Sequence, residues 1–193
     1  GGNKVGVSIT FVGKGTVANG ATTACDGTTS PCSFTVDANT NLTLTATAGE
    51  GHTFSTWQCN LTPATTSATL SISSGTGLEC TVTFTKQSFS LTINVAPSGG
   101  GTVLGTPGSL QCGVGGTVCQ TTQEYGTVVA LSLVKAQFYT FTGWSGDCAG
   151  TSENLNVTIT KNMTCTATLT AVTFPLSMSV LGLNGDIGSF GML

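Results

Sequence analysis

Phe141-Thr-Gly-Trp144-Ser-Gly-Asp-Cys148 repeats, 87 residues on, the stretch Phe54-Ser-Thr-Trp57-Gln-Cys59. The Phe and Trp keep that offset, and two extra residues then put Cys148 89 positions beyond Cys59. Outward from this pair, the other landmarks follow. Cys25 and Cys32 recur 87 residues later as Cys112 and Cys119, and Cys80 recurs 85 later as Cys165. Gly15-Thr-Val17 recurs 86 later as Gly101-Thr-Val103. Coincidence of so many positions makes the chain a tandem array with a period near 86. Repeat one is assigned to residues 5–87 and repeat two to 90–171.

Each repeat opens with strict alternation, Val7-Ser-Ile-Thr-Phe11 and Leu91-Thr-Ile-Asn-Val95. Period-two alternation marks a strand with one buried face. Further strand-like runs follow, among them Asn41-Leu-Thr-Leu-Thr-Ala-Thr47, Thr81-Val-Thr-Phe84 and Leu155-Asn-Val-Thr-Ile-Thr160. About six strands per repeat suggest a small sandwich or curled sheet. The fold expected is all-β, with two tandem disulfide-stapled β-sandwich-like repeats and an orphan C-terminal strand segment. That segment, residues 174–193, opens as a third start: Leu176-Ser-Met178-Ser-Val180 repeats the alternation. It is expected to lack partners in its own sequence, and an unpaired apolar edge needs a cover.

Composition agrees. The chain has 38 Thr and 18 Ser among 193 residues, and only 7% of residues are charged. Branched and aromatic side chains suit a pleated surface, and no amphipathic helical register is present. Five Lys and no Arg cannot build a phosphate-neutralising surface, which excludes nucleic acid as a partner. An anionic membrane face would ask for the same basic patch. No stretch supplies the roughly 20 predominantly apolar residues of a spanning helix, so membrane insertion is not expected. The opening Gly-Gly-Asn-Lys carries no signal peptide and reads as a mature form or an excised fragment.

An even count of eight Cys in a low-charge chain points to an oxidising, extracellular setting. If each repeat folds on itself and both fold alike, three pairing patterns remain. The nearest-neighbour pattern is favoured: Cys25–Cys32, Cys59–Cys80, Cys112–Cys119 and Cys148–Cys165. Closing loops of about 8 and about 22 residues contributes roughly 2.5 and 3.4 kcal/mol in the loop-entropy account. Zinc is the rival reading, but structural zinc favours Cys two to four residues apart, often with His. Neither a metal nor any other cofactor is expected.

Catalysis is not expected either. His52 is the only imidazole, and its counterpart is Phe138 or Tyr139, so it reads as a half-exposed strand or loop residue. Asp147, in Trp144-Ser-Gly-Asp147-Cys148, reads as a turn or capping residue. The remaining acids form no motif of the paired-carboxylate kind. Phe54, Trp57, Phe141 and Trp144 are taken as core anchors, because they hold identical places beside a cysteine in both repeats. Phe138 and Tyr139 are the candidates for an exposed aromatic patch, and binding of a surface ligand or glycan would use Phe138, Tyr139 or Tyr125. Four Asn-x-Thr sequons, at Asn41, Asn60, Asn156 and Asn162, are about what this composition gives by chance.

Gly101-Thr-Val103, Cys112 to Cys119, Gly126-Thr-Val-Val-Ala-Leu131, the Phe141–Cys148 stretch and Asn156-Val-Thr-Ile-Thr160 together resemble the divergent internalin B-repeat of bacterial surface proteins. Repeat one resembles it less closely, lacking the Gly and the Ser-Gly-Asp insertion. The resemblance implies a compact β module used in tandem as a stalk, spacer or interaction unit, with no catalytic residues. It also implies that Cys112, Cys119, Cys148 and Cys165 are disulfide partners and that Trp144 is core.

The function expected is therefore structural: a subunit of an extracellular filament or appendage, assembled by C-terminal strand addition through Leu176, Met178 and Val180. Such addition uses main-chain hydrogen bonds for affinity, and head-to-tail contacts generate open polymers. The partner would be another copy of the chain. Alternatives are a spacer or stalk segment of a larger adhesin, whose partners are adjacent repeats of the same chain, and a carbohydrate-binding module.

Overall fold

The computed structural model describes residues 2–177 and the backbone of two short strands beyond them. It is all-β, with no helix among the described residues. Repeat one contains β1 (Lys4–Val12), β2 (Gly15–Asn19), β3 (Thr22–Cys25), β4 (Cys32–Asp37), β5 (Asn41–Ala48), β6 (His52–Cys59), β7 (Thr62–Thr65), β8 (Thr69–Ser73) and β9 (Leu78–Lys86). They form a five-stranded sheet, β4-β1-β9-β6-β7, and a four-stranded sheet, β3-β2-β5-β8.

Repeat two contains β10 (Ser88–Ala96), β11 (Gly101–Thr106), β12 (Leu110–Gly113), β13 (Gly116–Val118), β14 (Gln120–Glu124), β15 (Val128–Lys135), β16 (Tyr139–Gly146), β17 (Asn154–Thr158) and β18 (Met163–Ala171). Its sheets are β14-β10-β18-β16 and β13-β12-β11-β15-β17. Nine strands per repeat replace the expected six. The additional ones are mostly edge strands of three to five residues, such as β3, β7 and β13, too short to show alternation.

Alternation decides the packing. β1 turns Val7 and Ile9 inward, β9 turns Leu78, Cys80, Val82 and Phe84, and β5 of the opposite sheet turns Leu42, Leu44 and Ala46. Repeat two repeats the scheme with Leu91 and Ile93, Cys165, Ala167 and Leu169, and Val129, Leu131 and Leu133. Burying a Val, Leu or Ile side chain is worth about 1.5–3 kcal/mol. Neither glycine of the recurring Gly-Thr-Val element leaves room for a Cβ: the Phe84 ring stands there at Gly15, and the Val134 carbonyl at Gly101.

The first and last strands of each repeat pair in parallel at the centre of their sheet, β1 with β9 and β10 with β18. A sheet whose middle pair comes from opposite ends of the sequence closes only when the whole repeat is present. Each repeat is therefore one non-local folding unit.

The third start departs from this plan. β19 (Ser179–Leu181) and β20 (Ile187–Ser189) pair antiparallel, Val180 opposite Gly188. The expectation that this segment has no partner in its own sequence is corrected. The opening strands of a complete repeat, β1 and β2, lie instead in different sheets.

Candidate functional site

All eight cysteines are paired: Cys25–Cys32, Cys59–Cys80, Cys112–Cys119 and Cys148–Cys165. The short-range pairs tie one sheet to the other, since β3 and β4, or β12 and the start of β14, belong to different sheets. Cys59 and Cys80 face each other on neighbouring strands of one sheet.

Trp57 and Trp144 are buried, at 1% and 6% exposure. Their indole N–H groups donate to equivalent loop carbonyls, Trp57 Nε1 to Ala68 O at 3.1 Å and Trp144 Nε1 to Ser152 O at 2.9 Å. A buried indole N–H needs such an acceptor, and with it the ring is spoken for. Phe54 and Phe141 are only half-buried, at the rim of each core: Phe54 meets Phe84, and Phe141 meets Trp144.

Asp147 is held by Lys161 Nζ at 2.6 Å and by the backbone N–H of Thr164 at 2.9 Å. The Lys161 contact first, and the Thr164 N–H second, hold its carboxyl below the usual range. It closes a turn. Asp26 does the same through Thr28, whose hydroxyl and N–H lower its pKa. His52 opens β6, half-buried, with Nδ1 3.0 Å from Glu50 O. Among the described residues, no group of three or more His, Cys, Asp or Glu side chains is placed to hold a metal ion. No helix among them is long and apolar enough to cross a membrane.

The most specific constellation lies where the repeats meet. Only Gln87 separates β9 from β10. Its N–H donates to Gly51 O and its C=O accepts from Tyr125 N–H, both at 2.8 Å, so one residue stitches both repeats. The Tyr125 ring lies over Gly51, where a Cβ would overlap it, and meets Phe89 edge to face at 6.5 Å. Gly51 has φ +71°, a left-handed conformation that glycine adopts without strain. The Tyr125 hydroxyl donates to Glu50 Oε1, and this bond raises the phenol's pKa above its ordinary value. Lys86 and Glu124 add an exposed ion pair at 3.5 Å. The joint was missed in the sequence. Its signal was Gln87-Ser-Phe89 recurring 85 residues on as Val172-Thr-Phe174.

The exit from repeat two copies half of this joint. Val172 N–H donates to Phe138 O at 2.7 Å, as Gln87 does to Gly51. Phe138, at Gly51's position, also has positive φ, +65°, and meets Phe174 edge to face at 5.5 Å. Phe138, Phe174 and Leu176 are exposed by 57%, 68% and 85%. Tyr139, the other residue of the expected aromatic patch, instead packs half-buried against the core. Of the expected intersubunit strand, Leu176 is exposed, Met178 lies outside the described residues, and Val180 is described only as backbone in β19.

Two copies of one disulfide-stapled sandwich, joined through a one-residue linker, make this a tandem β-repeat protein. Residues 5–88 and 91–173 each match the family model of the divergent InlB B-repeat domain, and the chain belongs to that family. Membership and four disulfides point to a surface or extracellular setting. No curated protein matches the chain. Among solved structures, it is similar to the major pilin from Streptococcus pyogenes, at 9% identity and TM-score 0.29, over 90% of this chain and 100% of that one. It is also similar to the T-13 major pilin of the same organism, at 10% identity and TM-score 0.29, over 89% and 97%. Likeness at this level says nothing about assembly.

Proposed function

We propose that this protein is a non-catalytic structural element of an extracellular filament or surface appendage, built from repeats strung end to end. The observation that carries the reading is the second exit. The chain leaves repeat two through the bond and aromatic position by which it leaves repeat one to begin a new repeat. Leu176, Met178 and Val180 occupy the register of Val7, Ile9 and Phe11 in β1 and of Leu91, Ile93 and Val95 in β10. In both complete repeats the first two of these positions are core. In this reading the segment 174–193 opens its β19–β20 pairing and serves as the opening strand of a following unit.

The test is deletion of residues 174–193. Assembly should be lost while both repeats keep their melting transitions. Fibres that persist in the deletion would overturn strand addition. A spacer segment in a larger adhesin is the second reading, favoured by the same exit, with the following unit supplied in cis. Sequence beyond Leu193 that completes a third repeat would select it.

A further inference from the structure

Tension along a tandem array enters each repeat at its first strand and leaves at its last. Here those two strands are neighbours. β1 lies parallel to β9 from Val7 opposite Leu78 to Val12 opposite Thr83, and β10 lies parallel to β18 from Leu91 opposite Met163 to Ala96 opposite Thr168. The parallel direction puts the start of the entry strand and the end of the exit strand at opposite ends of the pair. Tension therefore slides one strand along the other and strains the whole ladder at once. An antiparallel pair would instead open one bond after another. The bonds of a parallel ladder are evenly spaced, so a sliding load is shared among them.

The pair sits at the centre of its sheet, flanked by β4 and β6 in repeat one and by β14 and β16 in repeat two. Neither strand thus offers a free edge, where backbone groups stand unpaired. The exit strand is also bonded covalently to the body of its repeat. Cys80, opposite Ile9, is joined to Cys59 on β6, and Cys165, opposite Ile93, is joined to Cys148. The entry strands, Lys4–Val12 and Ser88–Ala96, carry no cysteine and no such anchor. Only Gln87 separates β9 from β10, so tension passes from one pair to the next without slack.

We propose that each repeat is a tension-bearing clamp, in which the parallel pair of entry and exit strands carries the load and the disulfides cap the extension once the pair slips. The entry strand is the part that slides. After it slips, the residues enclosed by Cys25–Cys32 and Cys59–Cys80, or by Cys112–Cys119 and Cys148–Cys165, stay closed while the rest of the repeat is drawn out. This role goes beyond end-to-end assembly and needs only that load enter and leave through the ends of a repeat, whichever chain supplies the following unit.

Single-molecule pulling on the oxidised full chain tests it. Pulled from its two ends, the chain should rupture in two steps, one for each repeat. Each step should stop short of the fully stretched repeat, by roughly 9 nm in repeat one and roughly 7 nm in repeat two, at about 3.5 Å per residue of closed loop. Handles at the exposed residues Val12 and Lys86 load the β1–β9 pair from one end, since Val12 faces Thr83. That geometry peels the pair bond by bond in the same folded protein, and repeat one should then rupture at several-fold lower force. Equal forces in the two geometries would overturn the clamp. Steps that reach full length without reduction would overturn the disulfide cap. A single chain suffices for the measurement, so failure of end-to-end assembly would leave this result standing.

Discussion

The hydroxyl of Tyr125 in repeat two donates to the carboxylate of Glu50 in repeat one, while the same ring covers Gly51. The bond makes the joint sensitive to alkali. The Glu50 bond raises the Tyr125 pKa above 10, so its contribution is fully present below about pH 10 and is lost as pH rises through the folded value. Small-angle scattering should show the two-repeat particle change its dimensions above pH 10, and Tyr125→Phe should abolish that response. An alkaline change that survives in the phenylalanine variant would assign it elsewhere.

Gly51→Ala puts a Cβ into the Tyr125 ring at a left-handed backbone position. It should cost about 1–3 kcal/mol. The loss should fall on the coupling between repeats, seen calorimetrically as transitions that separate. The mirror substitution Phe138→Gly relieves strain and should not lower the melting temperature of repeat two.

The tryptophans are structural, so their loss should be read in stability. Trp57→Ala and Trp144→Ala should each cost about 3–5 kcal/mol in denaturant titration. Trp→Phe should cost less, about 1–3 kcal/mol, much of it from leaving Ala68 O or Ser152 O without its donor.

Asp147 predicts an acid limb. Its carboxyl is held below 3.8, so the Lys161 and Thr164 contacts contribute fully above that value and fade as pH falls through the folded pKa. Asp147→Asn should flatten the stability profile of repeat two below about pH 4. Repeat one, which lacks the Ser-Gly-Asp insertion, should be unaffected by the change.

Removing a staple should separate the two kinds of disulfide. Replacing Cys59 and Cys80 by Ala opens a loop of about 22 residues and should cost roughly 3.4 kcal/mol, against roughly 2.5 for Cys25 and Cys32. Denaturant midpoints of the two variants would check the order.

The repeat, the all-β class and the burial of Trp57 and Trp144 were legible because each leaves a periodic mark. Alternation at Val7, Ile9 and Leu91, Ile93 assigns an inner face without any tertiary knowledge. The parallel pairing of first and last strands was not legible, since local alternation carries no information about which distant strand lies alongside. The joint escaped for a related reason. Tyr125, Gly51 and Gln87 look ordinary singly, and only the sandwich brings residues 51 and 125 together. Phe138 was noticed as an unmatched aromatic, but its meaning came from the left-handed backbone it shares with Gly51.

End-to-end assembly is the central claim, and electron microscopy of the isolated protein, with its mass from light scattering, tests it most directly. The account predicts regular fibres whose subunits repeat head to tail. A monodisperse particle of 19.3 kDa at every concentration would contradict it.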